Sequence, residues 1–478
     1  MWPASEGGCH LKKIVTLPVP GGRRLSESDT FLKSKHNLLA TFDCVDDLVT
    51  APVSKITRKD LHAIEHHMVR LRAALARTLW SNEFFIGRSI LDEYILHMAK
   101  TGAGGVCQSV MAELDAAGAD RPGFVLYPLT RFGLEMPRHG DANPHLKAVA
   151  SFRTAGFAVC SQAQTLDTLH ATVSGMARSL GIRQRIERGD LRHYSYAAKW
   201  LTRNPMLMVR VASQTGDMYE NQFVYTLRIR LAVATILMLH ALAADGGSDV
   251  EDHHSSSFVN NFETLDIGHY IIGESVRAQG PLQTRRVPMN ISPVELARLS
   301  DLGVTISTSI LASARMTRFR RQVEAALQFV GRGHFTHVTL RSSSAVERRL
   351  YSRLLTALDW YRFSFGSLAN EAEAIVGLAV AFDTLLTDLY QKGVAERIKR
   401  RVGLCMRGAP DVASYRDSVH AVYVARNQVV HTGDITMATD IVRARAAFAR
   451  CFCHVATRLA ASVPTSESEP IRELLGDL

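Results

Sequence analysis

What the chain lacks narrows its class first. Its seven cysteines are odd in number and widely spaced, so they form no disulfide framework. The opening MWPASEGGCHLKK lacks the basic-then-apolar order of a secretory leader. The most apolar run, LAVATILMLHALAA (231–244), contains His240 and is shorter than the roughly 20 residues of a membrane span. It reads instead as a buried core helix. There is no glycine-rich phosphate loop of either standard spacing, no G-x-S-x-G elbow and no repeat at a fixed period. These absences argue against a disulfide-rich secreted scaffold, a membrane-spanning chain, a P-loop enzyme and a serine hydrolase. The expectation is a soluble, cytoplasmic protein with no membrane partner and no cofactor.

What is present begins with size and charge. A chain of 478 residues is expected to form about two or three domains, and 46% apolar content provides for a sizeable core. The formal charge is +10 and the isoelectric point about 9.3. The surplus lies in short clusters, RQRIERGDLR (183–192), RMTRFRRQ (315–322) and RIKRR (397–401). Such a distribution suits a surface that meets phosphates better than it suits a basic tail, although most clusters of this kind are solvated faces.

Periodicity predicts a mainly α protein. KKIVTLPVPGG (12–22) alternates like a short strand. Helical spacing runs from Thr57 to about Trp80 and on to about Lys100, and GFVLYPLTRFGL (123–134) is extended and interrupted by Pro128. Helical patterns over roughly 144–243 complete a mostly helical N-terminal region (1–243), a regulatory or sensing candidate. ADGGSDVEDHHSSS (244–257) reads as a linker, and 258–343 as a mixed connecting region with a helix at 308–330 and a strand-like HFTHVTL (334–340). Five amphipathic segments follow, near 345–361, 368–390, 392–407, 412–431 and 436–461, joined by short breaks. Short connections favour antiparallel neighbours, so 344–463 is expected to be a helical bundle, with 464–478 a loose tail.

Two histidine and cysteine patterns invite a metal reading. HAIEH (62–66) would place His62 and His66 on one helical face with Glu65 as base, as in the inverted zinc peptidases. No segment supplies a third ligand, and His67 continues the row as a polar face would. In CFCH (451–454), Cys451 and Cys453 point to different sides of a helix and read as core thiols. The expected metal set is none.

The stretch YVARNQVVHTGD (423–434) carries the chemistry. R-x4-H alone has no weight, because Arg188–His193 and Arg332–His337 repeat it. Context separates Arg426–His431 from these two. Tyr415, Val419, Val422, Val429 and Val430 form one apolar stripe at 100° per residue, and Arg426 projects into its middle. A guanidinium there is costly unless it is paired or reaches a buried polar site. On the neighbouring segment EAEAIVGLAVAFDTLLTDL, Asp383 interrupts an apolar surface of Val376, Ala379, Val380 and Leu386 and is the natural partner. His431 ends the helix, where the dipole favours imidazolium, about 140° from Arg426 in an ideal helix. Histidine moves protons and arginine clamps phosphate, a pair suited to cutting RNA without metal. The competing reading is a structural Arg426–Asp383 ion pair and a His431 that only caps carbonyls.

RNQVVHTG, with Arg426, the polar Asn427 beside it, His431 and a small-residue stop, resembles the motif of the HEPN superfamily, and within it the Apea-like group. The upstream LAVAFDTLL is similar to that family's acid-bearing helix, with Asp383 where glutamate is commoner. The resemblance spans 345–463, roughly a quarter of the chain, and implies a metal-independent endoribonuclease. Arg426 and His431 of two subunits would line one cleft, with Asn427 and Asp383 in support, and cleavage would leave a 2′,3′-cyclic phosphate. It implies RNA as substrate, a homodimer through the C-terminal bundle, and service as a toxin or effector in bacterial anti-phage defence with a phage-derived trigger or regulatory partner. The alternative is a non-catalytic RNA- or nucleotide-binding module.

Overall fold

The structure, a computed structural model, describes residues 19–81, 85–102, 104–116, 123–135, 151–163, 165–197, 200–211, 214–215, 222–246, 269–274, 280–289, 292, 295, 299–341, 344–365, 371–389, 392–432 and 439–477. It is mainly helical, as periodicity predicts. Contacts divide the chain into two units, Met1–Pro122 with Ala212–Asn221, and Gly123–Val211 with Gln222–Leu478.

The first unit is built from the helices Arg23–Ser34, Arg58–Ser81, Arg88–Thr101 and Val106–Ala116, with shorter turns between them. Their apolar faces meet around Leu32, Ile64, Leu71, Ile95 and Val110, all buried. The expected continuous helix from Thr57 to Lys100 is broken by a short strand at Phe85–Ile86, which pairs with Gln214–Thr215. Most of the strand expected at 12–22 lies outside the described residues.

The second unit holds a sheet that periodicity did not reveal. Strands β1 (Gly123–Pro128), β2 (Thr130–Glu135), β3 (Ser151–Arg153), β4 (Phe157–Cys160), β5 (Met206–Val211), β6 (His269–Glu274), β7 (Gln283–Pro288) and β8 (Asp301–Ser307) lie in this unit. Six of them form one antiparallel sheet in the order β3-β4-β5-β1-β6-β7, while β2 pairs with β8 in parallel. Part of the expected helical stretch 144–243 is therefore β3, β4 and β5. Helix α1 (Leu166–Ser179) lays Leu169, Val173 and Met176 against Phe124, Leu126, Ala158 and Met208 of the sheet.

Helix α2 (Arg188–Ala197) follows, then α3 (Gln222–Ala244), which packs against β5 and β8. By length and composition Phe223–Ala244 is apolar enough to cross a membrane. Most of it is instead buried inside the protein, including Ile229, Val233, Ile236, Leu237 and Leu239, as expected of a core helix. Helix α4 (Ala314–Gly333) continues through His334–Thr339 as a π-helical turn, where the sequence suggests a strand. The turn brings the His337 ring flat onto Tyr351, with centroids 4.9 Å apart, and Gly333 meets the same ring so closely that an added Cβ would lie 1.9 Å from it.

The five C-terminal helices are α5 (Ala345–Phe363), α6 (Glu371–Leu386), α7 (Val394–Cys405), α8 (Val412–Thr432) and α9 (Ile441–Ala461), each close to its expected bounds. They pack on one another as a bundle whose aromatic centre stacks Tyr361 on Phe448 at 4.4 Å, with Phe382 edge-on. The bundle is not separate from what precedes it, because α3 and α4 both pack against α9. Asp245, just beyond α3, accepts the Tyr415 hydroxyl and lies 3.6 Å from Arg443 and 3.7 Å from Arg450. The expected division at 244–257 thus falls inside the second unit.

The tail is not loose. Helix α10 (Pro470–Leu475) buries Ile471, Leu474 and Leu475. Asp388 accepts the backbone N–H groups of Ile471 (2.6 Å) and Arg472 (3.1 Å), satisfying donors at the start of α10. The guanidinium of Arg401, itself buried, reaches Asp388 (3.1 Å), Asp477 (2.7 Å) and the Leu386 carbonyl (2.6 Å). Burial pushes the Asp477 carboxyl up, but the bonds from Arg400 and Arg401 outweigh it and hold that carboxyl below its ordinary range.

Replacing Arg401 by Met should leave Asp388 and Asp477 buried without their shared cation. Chemical denaturation at neutral pH is expected to show a loss of about 3–5 kcal/mol. Asp477 has a lowered carboxyl, so its contribution exists above the unfolded value and disappears in acid. The gap between wild type and variant should therefore narrow as pH falls through the carboxylate range.

Candidate functional site

The site is assembled by α6 and α8, which pack against each other with α9 behind both. Helix α8 is buried on its inner face from Tyr415 through Val419, Val422, Tyr423 and Ala425, then emerges. Arg426 is half-buried, Asn427 and His431 are exposed, and Val430 at the end of the apolar stripe is 57% exposed. Helix α6 is apolar nearly all round, with Ile375, Leu378, Ala379, Phe382 and Leu386 buried and Asp383 half-buried among them.

Between the two expected partners stands a third group. The Tyr423 hydroxyl lies 2.7 Å from Oδ1 of Asp383 and 2.9 Å from the Ala379 carbonyl, and the residue is 4% exposed. Among the described residues there is no Arg426–Asp383 ion pair within the 4.0 Å limit; the arginine acts on the carboxylate through space. One arm of the Arg426 fork donates to Oδ1 of Asn427 at 3.2 Å, while its Nε is buried without a hydrogen-bond partner. Burial pushes the Asp383 carboxyl above its ordinary range, against the opposing pull of the Tyr423 bond and the Arg426 charge. Burial, then the Asp383 charge beside it, raises the Tyr423 phenol well above its usual value.

His431 sits in the last described turn of α8, which stays helical through Thr432; Gly433 lies outside the described residues. With the helix regular, His431 points about 140° away from Arg426 and lies about 7.5 Å further along the axis. One chain therefore bonds Tyr423 to Asp383 and Arg426 to Asn427 as two neighbouring pairs, and leaves His431 on another face. Tyr423 carries a role that stripe analysis did not assign. Its spacing of three residues before Arg426, on the side facing Asp383, was the available signal.

The metal patterns resolve into packing. His62 and His66 are exposed on their helix. His67 stacks on Phe31 at 4.2 Å and bonds to the Ser28 hydroxyl at 3.0 Å, and burial lowers its pKa. Among the described residues no group of three His, Cys, Asp or Glu side chains is placed to hold a metal ion. Cys451 is fully buried beside Cys405, and burial pushes the Cys453 thiol up to about 12. Arg332 and His337 straddle the π-helical turn, where His337 faces Glu347 at 3.8 Å.

Since Arg426 closes no direct ion pair, its charge should contribute little to stability. Arg426→Met, which keeps the stem, is expected to change unfolding free energy by less than about 1 kcal/mol, against about 3–5 kcal/mol for breaking a buried pair. Urea denaturation of the intact chain reads the difference.

A scan against protein-family models, a search of curated proteins and a search of solved structures each find no match to this chain.

Proposed function

We propose that this chain is a metal-independent endoribonuclease of HEPN type, with Arg426 and His431 as its catalytic pair and a second copy of the chain completing the cleft. The observation that carries this reading is Arg426 itself. Its guanidinium is half-buried on a largely apolar helix face, has no direct carboxylate partner among the described residues, and lies where the helix emerges to solvent. A cation so placed is available to a phosphate, and a fork is the matching shape.

In the reaction, an imidazole removes the 2′-hydroxyl proton or protonates the leaving 5′-oxygen. The 2′-oxygen attacks the adjacent phosphorus, the bond to the 5′-oxygen breaks, and a 2′,3′-cyclic phosphate remains. Arg426 offsets the charge that develops on the phosphoryl oxygens. Asn427 steadies one arm of the fork. Because Arg426 and His431 diverge on α8, a two-fold pairing that sets one copy's histidine opposite the other's arginine meets the geometric need. The exposed Val430 beside His431 supports a contact at that end. Toxin-like action in anti-phage defence, with RNA as substrate and a phage-derived trigger, belongs to the same proposal.

The divergence also favours a second reading, a module that holds RNA without cutting it. Its mark is binding that weakens steeply with salt and yields no product.

Full-length protein incubated with RNA and a chelator separates the two. The nuclease reading expects fragments ending in 2′,3′-cyclic phosphate, and a loss of at least about a hundredfold in rate for both Arg426→Met and His431→Ala with the fold retained. Cleavage at the wild-type rate by both variants would overturn the assignment.

A further inference from the structure

We infer that Tyr423 is a positioning residue coupling the charge on Asp383 to the placement of Arg426, so that the site is set for phosphodiester chemistry only while Asp383 is ionised. The catalytic consequence rests on the nuclease reading above; the coupling itself rests on geometry alone.

The Tyr423 hydroxyl has one proton and two acceptors, Asp383 Oδ1 at 2.7 Å and the Ala379 carbonyl at 2.9 Å. With Asp383 ionised, the proton goes to the carboxylate. With Asp383 protonated, the carboxyl donates to the phenol oxygen and the phenol turns its proton to Ala379. A phenol serves as donor and acceptor at once, so both states keep the buried group bonded with little movement. What differs between them is charge.

That charge is what Arg426 feels. Among the described residues its Nε is buried with no bonding partner, and one arm donates to the neighbouring Asn427. The Asp383 carboxylate attracts the guanidinium through space, and its loss removes that pull on the fork. Helices α5, α7, α8 and α9 all pack against α6; among the described residues the groups that act on Asp383 are Tyr423 and Arg426 of α8, while Arg353 of α5 donates to the neighbouring Thr384 and Asp388 carbonyls. Burial raises the Asp383 carboxyl, so it gives up its charge in milder acid than an exposed aspartate does. The phenol, raised further still, keeps its proton across that range.

Removing the phenol oxygen withdraws a hydrogen bond that favours the ionised form. Tyr423→Phe should push the Asp383 carboxyl further up. For a group already raised on folding, the burial penalty is felt above its folded pKa and relieved as pH falls through it. The stability deficit of Tyr423→Phe should therefore be largest at neutral pH and shrink in acid. In an Asp383→Asn background the same substitution should cost equally at every pH.

The experiment follows thermal unfolding and RNA cleavage of the full chain across mildly acidic to neutral pH, for wild type, Tyr423→Phe, Asp383→Asn and the double variant. The expected result is a deficit whose pH dependence vanishes in the Asn background. With it, the acid limb of cleavage moves to higher pH in Tyr423→Phe, by roughly a tenfold further loss of rate in mild acid. Asp383→Asn, which cannot ionise, should cleave poorly at every pH, and adding Tyr423→Phe to it should change the rate no further. A deficit independent of pH while Asp383 is present overturns the coupling. A pH-dependent deficit with an unmoved cleavage limb overturns the positioning role. If wild type cuts no RNA, the nuclease reading falls and the positioning role with it, while the stability measurements decide the coupling alone.

Discussion

Helix α3 has no polar face, and this constraint organises the second unit. Its buried side chains include Ile229, Val233, Ile236, Leu237, Leu239 and Leu242, and each is worth about 1.5–3 kcal/mol when removed from water. Such a helix is stable only if covered on every side. Strands β5 and β8 cover part of it, and α4, α5 and α9 cover more. The sheet and the C-terminal bundle are consequently faces of one core. Helix α9, which lies against α3 and α4, also packs on α8 and α6, so the backing of the candidate site reaches to the centre of the unit.

Helix α8 is held differently at its two ends. Near its start, Tyr415 bonds to Asp245, and Arg443 and Arg450 gather at the same carboxylate. Near its finish, Val430 and His431 face solvent and Thr432 closes the last described turn on its own Gln428 carbonyl at 2.8 Å. Arg426 lies where the buried part of α8 gives way to the exposed residues Asn427, Val430 and His431. A fixed start gives the arginine a defined direction at that edge. The polar group that bridges α6 and α8, Tyr423, lies within the fixed half.

Legibility in the sequence followed the physics of each element. The five bundle helices could be read to within a few residues because four have an apolar face, α6 is apolar nearly all round over a helical length, and each has a glycine, proline or acidic break beside it. Of the sheet, the extended stretch at 123–134 was legible, whereas β4 and β5 read as helix because they do not alternate: β4 is buried at every position and β5 at all but one, leaving continuous apolar runs. HFTHVTL alternates as a strand does, yet its aromatic rings are taken up by Phe223 and Tyr351 in a widened helical turn. The tail looked loose because Ser, Glu and Pro dominate it, while Ile471, Leu474 and Leu475 at helical spacing were the informative minority. At the site, Arg426 and Asp383 could be found as charges interrupting apolar stripes. Tyr423 left only its spacing from Arg426 as a signal, because a tyrosine on such a stripe looks like core until the location of its hydroxyl is known.

The widened turn at His334–Thr339 has a consequence for how this chain tolerates length change. A π-helical turn houses one residue more than an α-helical turn, so it acts as an absorbed insertion. Deleting a single residue there would let the helix run on regularly. Everything beyond would then rotate by about 100° about the axis and shift by about 1.5 Å. His337 would leave the face of Tyr351, and Gly333, which has no room for a side chain, would no longer meet that ring. Insertions or deletions between 334 and 339 thus act on the seating of α4 against α5, where Gly333 and His337 both meet Tyr351.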